Sequence, residues 1–287
     1  MPSTISLGAR RGARLAVAAL LTAALALAGQ PAASSARSGG DDIGTGYMGA
    51  GSEAARERTA TTAQPLALPA GPRGIDVSHW QGTINWASVR NAGIQFAWIK
   101  ATEAHSWRDP QFDRNYTRAY QRGVIRGAYH FARPDVSGGR VQANFFVNNG
   151  GAWSRDNRTL PGVLDIEANP SNPDRPCYRM SPSQLRSWIL GFYNRYKERT
   201  GRDVVIYTSR SFWNRCTDNW GGMANRSPLW VAHWTSASRP TLPSGFTVWT
   251  TWQYTSTGSV AGISGNVDRN VFNGSRTRLL ALANNTR

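Results

Sequence analysis

Leu160-Pro161-Gly162-Val163-Leu164-Asp165-Ile166-Glu167 is the stretch on which the reading of the chain turns. Val163-Leu164 reads as a short buried strand, and two carboxylates follow at its C-terminal end, one residue apart. Side chains alternate along a strand, so Asp165 and Glu167 point to one side and Ile166 to the other. The two Cα atoms then lie about 7 Å apart. Two acids held together at the mouth of a sheet repel each other, which tends to leave one of them protonated near neutral pH. Glycoside hydrolysis needs such a pair of acid and carboxylate. A surface strand end with two solvated acids fits the doublet as well, so the rest of the chain has to decide.

Outward from this stretch, short apolar runs recur at Gly74–Val77, Phe96–Lys100, Gly127–Phe131, Val204–Thr208, Leu229–His233, Val248–Tyr254 and Asn266–Asp268. Helical stretches fall between the early ones, near Trp86–Asn91, Gln111–Arg122, Gly138–Asn149 and Pro182–Thr200. The last opens on Ser181-Pro182-Ser183-Gln184, with a capping serine and a proline at the first helical position, and Gly201 closes it. Eight strands with helical crossovers predict an α/β fold, a (β/α) barrel rather than an open sheet. The gaps between the last three strands hold no good helix. The expected form is therefore an irregular TIM-like barrel with helices missing between the last strands, and functional groups at the C-terminal strand ends.

The chain divides into three parts. Arg10, Arg11 and Arg14 precede an apolar run from Leu15 to Leu27, with Ala26-Leu27-Ala28 as one small-residue cleavage option and a site near Ala36 as another, so residues 1–36 read as a secretory signal peptide. Residues 37–72 are rich in Gly, Ala, Ser, Thr and Pro and read as a linker or pro-segment, largely disordered, in which Tyr47-Met48 has the composition to dock. Residues 73–287 suit one catalytic barrel domain with a substantial core. The protein is expected to be secreted, with no membrane association once the signal is removed, and monomeric. Cys177 and Cys216 are the only cysteines. In an exported chain they read as a disulfide that contributes about 4 kcal/mol through chain entropy. The four histidines show no ligand spacing, so neither a metal nor a cofactor is expected.

The formal charge is +16, carried almost wholly by arginine. From Arg73 onward there are 27 Lys/Arg against 13 Asp/Glu. Such a field attracts polyanions, and an anionic bacterial wall suits an exported barrel better than nucleic acid, for which no binding motif or basic tail is present. Among the acids, Asp109, Asp113, Asp135, Asp156, Asp174, Asp203, Asp218 and Glu198 stand in polar settings where surface roles suffice. Asp76, Asp165, Glu167 and Asp268 stand at ends of apolar strands instead. Barrel closure sets the first and last strands side by side, so Asp76 and Asp268 should meet across the mouth. Glu103 is either a fifth acid of the site or a structural bond to a neighbouring loop. Aromatic and polar residues gather at the same strand ends, among them Tyr129, Tyr207, Trp234 and Gln253. Sugar rings stack on aromatics, and this rim therefore reads as a saccharide cleft.

Six stretches carry a family resemblance: Gly74-Ile75-Asp76-Val77-Ser78-His79-Trp80-Gln81-Gly82, Ile99-Lys100-Ala101-Thr102-Glu103, Gly127-Ala128-Tyr129-His130-Phe131, Leu164-Asp165-Ile166-Glu167, Trp252-Gln253-Tyr254 and Val267-Asp268-Arg269. Together and in this order they resemble glycoside hydrolase family 25, the Chalaropsis-type lysozymes, most fully its secreted Streptomyces N,O-diacetylmuramidases. The resemblance implies an irregular eight-stranded barrel. It also implies hydrolysis of the β-1,4 bond between N-acetylmuramic acid and N-acetylglucosamine in peptidoglycan. Its acid matches Glu167 and its further acidic positions match Asp165, Asp76 and Asp268. Ala104-His105 departs from the glycine common after Glu103. In the expected mechanism Glu167 protonates the glycosidic oxygen. Asp165 either attacks directly or orients the 2-acetamido group for attack, the route its acid-x-acid spacing favours. A chitinase-like glycosidase and a non-hydrolytic wall-saccharide module are the rival readings.

Overall fold

The computed structural model describes residues 42–51 and 67–286. The leader read over residues 1–36 lies outside the described residues. The barrel strands are β1 (Arg73–Val77), β2 (Ile94–Glu103), β4 (Ile125–Phe131), β5 (Val163–Asp165), β6 (Val205–Ser209), β7 (Leu229–Ala232), β8 (Thr251–Gly258) and β9 (Val267–Phe272). A two-residue strand, β3 (Trp107–Arg108), folds back on the end of β2. Helices α1 (Trp86–Asn91), α2 (Phe112–Gln121), α3 (Gly139–Phe146), α4 (Pro182–Thr200), α5 (Arg210–Thr217) and α6 (Arg276–Asn284) complete the order.

The strands run round the barrel as β1-β9-β8-β7-β6-β5-β4-β2, and β2 pairs with β1 to close it. From β2 through β4, β5, β6 and β7 to β8 every pairing is parallel, and so is β1 with β2. β9 breaks the pattern and runs antiparallel to both β8 and β1. The reason lies in chain length. Residues 259–266 alone join β8 to β9, and a parallel return needs a dozen residues or more. The chain therefore turns back as a hairpin. β7 and β8 stay parallel because the longer stretch 233–250 crosses over without a helix.

Alternation within the strands sorts their side chains into two cores. Ile75, Val77, Ile99, Leu164, Ile166, Ile206 and Val231 face outward and pack with helix residues such as Phe146, Ile189, Phe192 and Trp213. Phe96, Trp98, Tyr129, Val163, Val205, Tyr207 and Trp230 fill the barrel interior, with Trp98 and Trp230 stacked at 4.4 Å between ring centroids. The period-2 rule thus holds at the decisive stretch: Val163 turns in, Leu164 and Ile166 turn out, and Asp165 and Glu167 follow Val163.

Caps explain where the longest helix starts and stops. The Ser181 hydroxyl accepts from the Gln184 amide while Gln184 Oε1 accepts from the Ser181 amide, a reciprocal capping box. Gly201 ends α4 in the left-handed conformation at φ 70°. α5 and α6 were not expected from the apolar pattern. Each is short, and each follows a capping serine, Ser209 and Ser275. Cys216 stands on α5, and it is bonded to Cys177 with 5.3 Å between Cα atoms. No helix among the described residues is long and apolar enough to cross a membrane.

Candidate active site

Parallel strands of a barrel end on one rim, and β1, β2, β4, β5, β6, β7 and β8 deliver their C-terminal residues there. Asp76 comes from β1. Asp268 comes from the beginning of β9, and because β9 is inverted, its beginning meets the end of β1. The register pairs Asp76 with Asp268 directly. Asp165 is the last residue of β5, paired with Phe131 and Tyr207. Glu167 follows two residues beyond. The Ile166 amide donates to the Tyr207 carbonyl at 3.0 Å, so the chain stays extended past the strand end. Asp76, Asp165 and Glu167 are each 2 % exposed or less.

The acids are held differently. Asp76 accepts from Asn270 Nδ2 at 2.6 Å and, on both oxygens, from Gln253 Nε2 at 3.3 Å. Asn270 is itself fixed by Trp230 Nε1 at 2.8 Å, and Gln253 by the Tyr207 hydroxyl at 2.8 Å and Trp234 Nε1 at 3.2 Å. Neither carboxylate oxygen of Asp165 receives a hydrogen bond from a main-chain or amide donor, and the carboxyl group that faces it is Glu167. The Tyr178 hydroxyl donates to the Glu167 main-chain carbonyl at 2.9 Å, and Tyr178 adjoins the disulfide residue Cys177. The disulfide therefore fixes the loop that steadies the strand end bearing Glu167.

Burial governs the protonation of all four groups. It pushes Asp76 up to about 6, against the bonds from Asn270, Asp268 and Gln253. Glu167 is raised to about 8 by burial, opposed by main-chain donors at Gly51 and Gly49. Asp165 stands well above the ordinary carboxylate range through burial and the charge of Glu167, with Lys100 pulling the other way. Asp268 is raised likewise by burial and by Asp76. A cluster of this kind keeps protons at neutral pH, which is what a general acid requires. Among the described residues, no group of three or more His, Cys, Asp and Glu is arranged to hold a metal ion.

The structure gathers Tyr129, Tyr207, Trp234 and Gln253 at the same mouth, although Tyr129, Tyr207 and Gln253 are buried and only Trp234 keeps a partly open ring. Glu103 resolves to the structural alternative. It takes Lys100 Nζ at 2.6 Å, and Arg133 lies 3.7 Å away, all three buried beneath the rim. Asp109, read as a surface acid, is buried too, and it holds the His79 amide at 2.8 Å and the His79 ring at 3.0 Å. Asn270, Trp230 and Tyr178 went unread. Asn270 was within reach, because it stands two residues after Asp268 and so shares its face.

Residues 42–51 lie in this mouth. Gly49 and Gly51 donate their amides to the two carboxylate oxygens of Glu167, at 2.9 and 2.8 Å. Met48 is fully buried among the interior residues of the barrel.

The model for Glycosyl hydrolases family 25 matches residues 75–263. Lysozyme M1 of Streptomyces globisporus is 57% identical over 297 residues, covering 100% of both chains. The N,O-diacetylmuramidase of a Chalaropsis species is 39% identical over 203 residues, covering 68% of this chain and 95% of that protein. Among solved structures, the bacterial lysozyme from Streptomyces coelicolor superposes with a TM-score of 0.74 at 64% identity. It covers 76% of this chain and 99% of its own.

Proposed function

From the premise that the chain belongs to the glycosyl hydrolases family 25, we propose that it is a muramidase. The bond it hydrolyses is the β-1,4 link between N-acetylmuramic acid and N-acetylglucosamine in bacterial peptidoglycan. The observation that carries the reading is the pair at the end of β5: two buried carboxyls two residues apart, facing inward, with raised pKa values. A wall-binding module that does not hydrolyse would have no use for such a pair. Chitinase-like action is the less favoured alternative, since the relatives named above are lysozymes and muramidases.

Glu167 is the general acid. Held protonated toward pH 8, it gives its proton to the glycosidic oxygen as the bond to the muramic acid anomeric carbon lengthens. Asp165 orients the 2-acetamido group so that its carbonyl oxygen attacks the anomeric carbon. An oxazolinium ion forms, and water then opens it with Glu167 acting as base. What supports assistance over direct attack is that no main-chain or amide donor engages either Asp165 oxygen, so a substrate N–H that enters the opened cleft would meet an unsatisfied acceptor. Asp76 and Asp268 set the charge around the pair, and Gln253, Tyr207 and Tyr129 form the wall that Trp234 continues as a stacking face. Residues 1–36, outside the described residues, read as an export signal, and the basic surface would draw a monomeric enzyme to an anionic wall. Digestion of purified peptidoglycan, with mass analysis of the new reducing ends, tests the reading. Muramic acid ends are expected, and N-acetylglucosamine ends would overturn it.

A further inference from the structure

The stretch Asp42-Ile43-Gly44-Thr45-Gly46-Tyr47-Met48-Gly49-Ala50-Gly51 is seated in the mouth at both of its ends and in the middle. At one end Asp42 pairs with Arg133 at 3.1 Å. Gly46 donates its amide to Glu103 at 3.2 Å and accepts from Lys100 through its carbonyl. Tyr47 meets the rim residue Trp80 edge-on at 6.5 Å between centroids. Met48 enters the interior core, and the run closes on Glu167 with two amide bonds.

Composition permits this fit. Gly49 adopts φ 86°, a conformation costly for other residues, and a Cβ there would stand 2.9 Å from the Trp234 ring. Gly51 presses on the β5 end so closely that a Cβ would lie 1.9 Å from the Ala168 carbonyl oxygen. A passive connector has no reason to meet Glu103, Glu167, Trp80 and Trp234 together. The seat also opposes catalysis. Both oxygens of Glu167 accept hydrogen bonds from the segment, so a leaving-group oxygen finds neither of them open. Backbone fills the space where a glycosidic oxygen would have to approach.

We propose that residues 42–51 are an intramolecular inhibitor of the cleft, which keeps the full chain latent until the segment leaves. This rests on the muramidase reading for its consequence and on the contacts alone for its geometry. A tethered segment meets its own cleft at an effective concentration on the order of millimolar. Modest affinity then keeps it seated, and once the tether is cut, dilution to micromolar releases it.

The test places a recognition sequence for a specific protease within residues 52–66 of the full chain. Initial rates on peptidoglycan are compared before and after cutting, with amide hydrogen exchange measured over residues 42–51 and circular dichroism confirming that the barrel persists. Cutting is expected to raise the rate at least about tenfold, the gain that millimolar tethering gives a segment of about 0.1 mM affinity. Exchange over 42–51 should be slow only in the uncut chain. Gly51→Val, which has no room for its side chain, should make the uncut chain as active as the cut one and expose the same amides. Fast exchange in the uncut parent overturns the proposal whatever the rates are. Slow exchange with equal rates before and after cutting overturns inhibition and leaves the muramidase reading intact. A cut chain with no activity on peptidoglycan would defeat the muramidase reading instead, and exchange alone would then decide whether the segment occupies the cleft.

Discussion

Asp76 and Asp268 stand in the antiparallel arc of the barrel, Asp165 and Glu167 in its parallel, helix-covered arc, and the two pairs are bound differently; Asp76, Asp165 and Glu167 are buried, whereas Asp268 is half-buried. Asp76 is tied by Asn270 and Gln253, and those amides are tied in turn by Trp230, Tyr207 and Trp234. Asp165 receives no main-chain or amide donor, and the two main-chain donors to the Glu167 carboxylate come from a segment outside the barrel. The antiparallel pair has its position and charge set by the protein. The parallel pair is left to be completed by whatever occupies the cleft, which marks it as the reacting pair.

The largest expected effect removes the acid. In chain freed of the segment, Glu167→Gln should lower the rate on peptidoglycan about 10³-fold, within the span general acids contribute. Binding of peptidoglycan fragments should survive, since that side chain is not a stacking face. A variant that keeps more than about a tenth of the parent rate would pass the acid's role to the other pair and reverse the comparison.

Asp165→Asn comes next, with a loss of about 10²-fold, the scale of one lost electrostatic stabiliser of a transition state. It also replaces a carboxyl that shares its proton with Glu167 by a permanent amide donor, which favours the Glu167 carboxylate and lowers its pKa. Because the acid works in its protonated form, the basic limb of the pH–rate profile should move to lower pH. An unmoved limb would mean the two carboxyls do not share their protons.

Thermal stability separates the pairs without substrate. Glu167 rises from 4.5 unfolded to about 8 folded, so between these values the native state holds a proton the unfolded chain has released. Stability therefore falls as pH rises through this window. His130 is depressed to about 3 by burial and works in the opposite sense, but only below its unfolded value of 6.5. From pH 6.5 to 8 Glu167 should cost the uncut chain about 2 kcal/mol. Melting curves of parent and Glu167→Gln across that range check it: the variant should lose the part of the slope that Glu167 contributes. Equal slopes would refute the assignment.

The smallest effect is expected from Asn270→Ala, which frees Asp76 from its shortest bond. Activity should fall about tenfold, roughly 1.4 kcal/mol, mostly in kcat. A loss as deep as that of Asp165→Asn would erase the distinction between a holding pair and a reacting pair.

Much of this was legible because period-2 alternation survives at the strands that matter. Asp165 and Glu167 face inward for the same reason that Ile166 does not, and closure of eight strands brings Asp76 to Asp268. What escaped depends on partners distant in sequence. Asp109 has a polar neighbourhood in sequence and is buried only because the His79 turn folds over it. α5 and α6 are short, and their few apolar residues gave no sustained period. The role of residues 42–51 was hidden because glycine-rich composition reads alike for a loose connector and for a backbone pressed into a tight seat.

The inverted strand β9 has a consequence for the order in which the fold is made. β1, the first stave of the barrel, waits for β9, the last, since β9 is what joins it to β8. During synthesis the sheet can grow from β1 and β2 through to β8 with one seam open, its two edges offering unpaired main-chain groups. Cys177 and Cys216, only 39 residues apart, are both available well before that seam can shut. A chain stopped short of Val267 would carry almost the whole enzyme and still present two raw strand edges, so the 21 residues from Val267 to Arg287 decide whether the product is a barrel or a seed for aggregation.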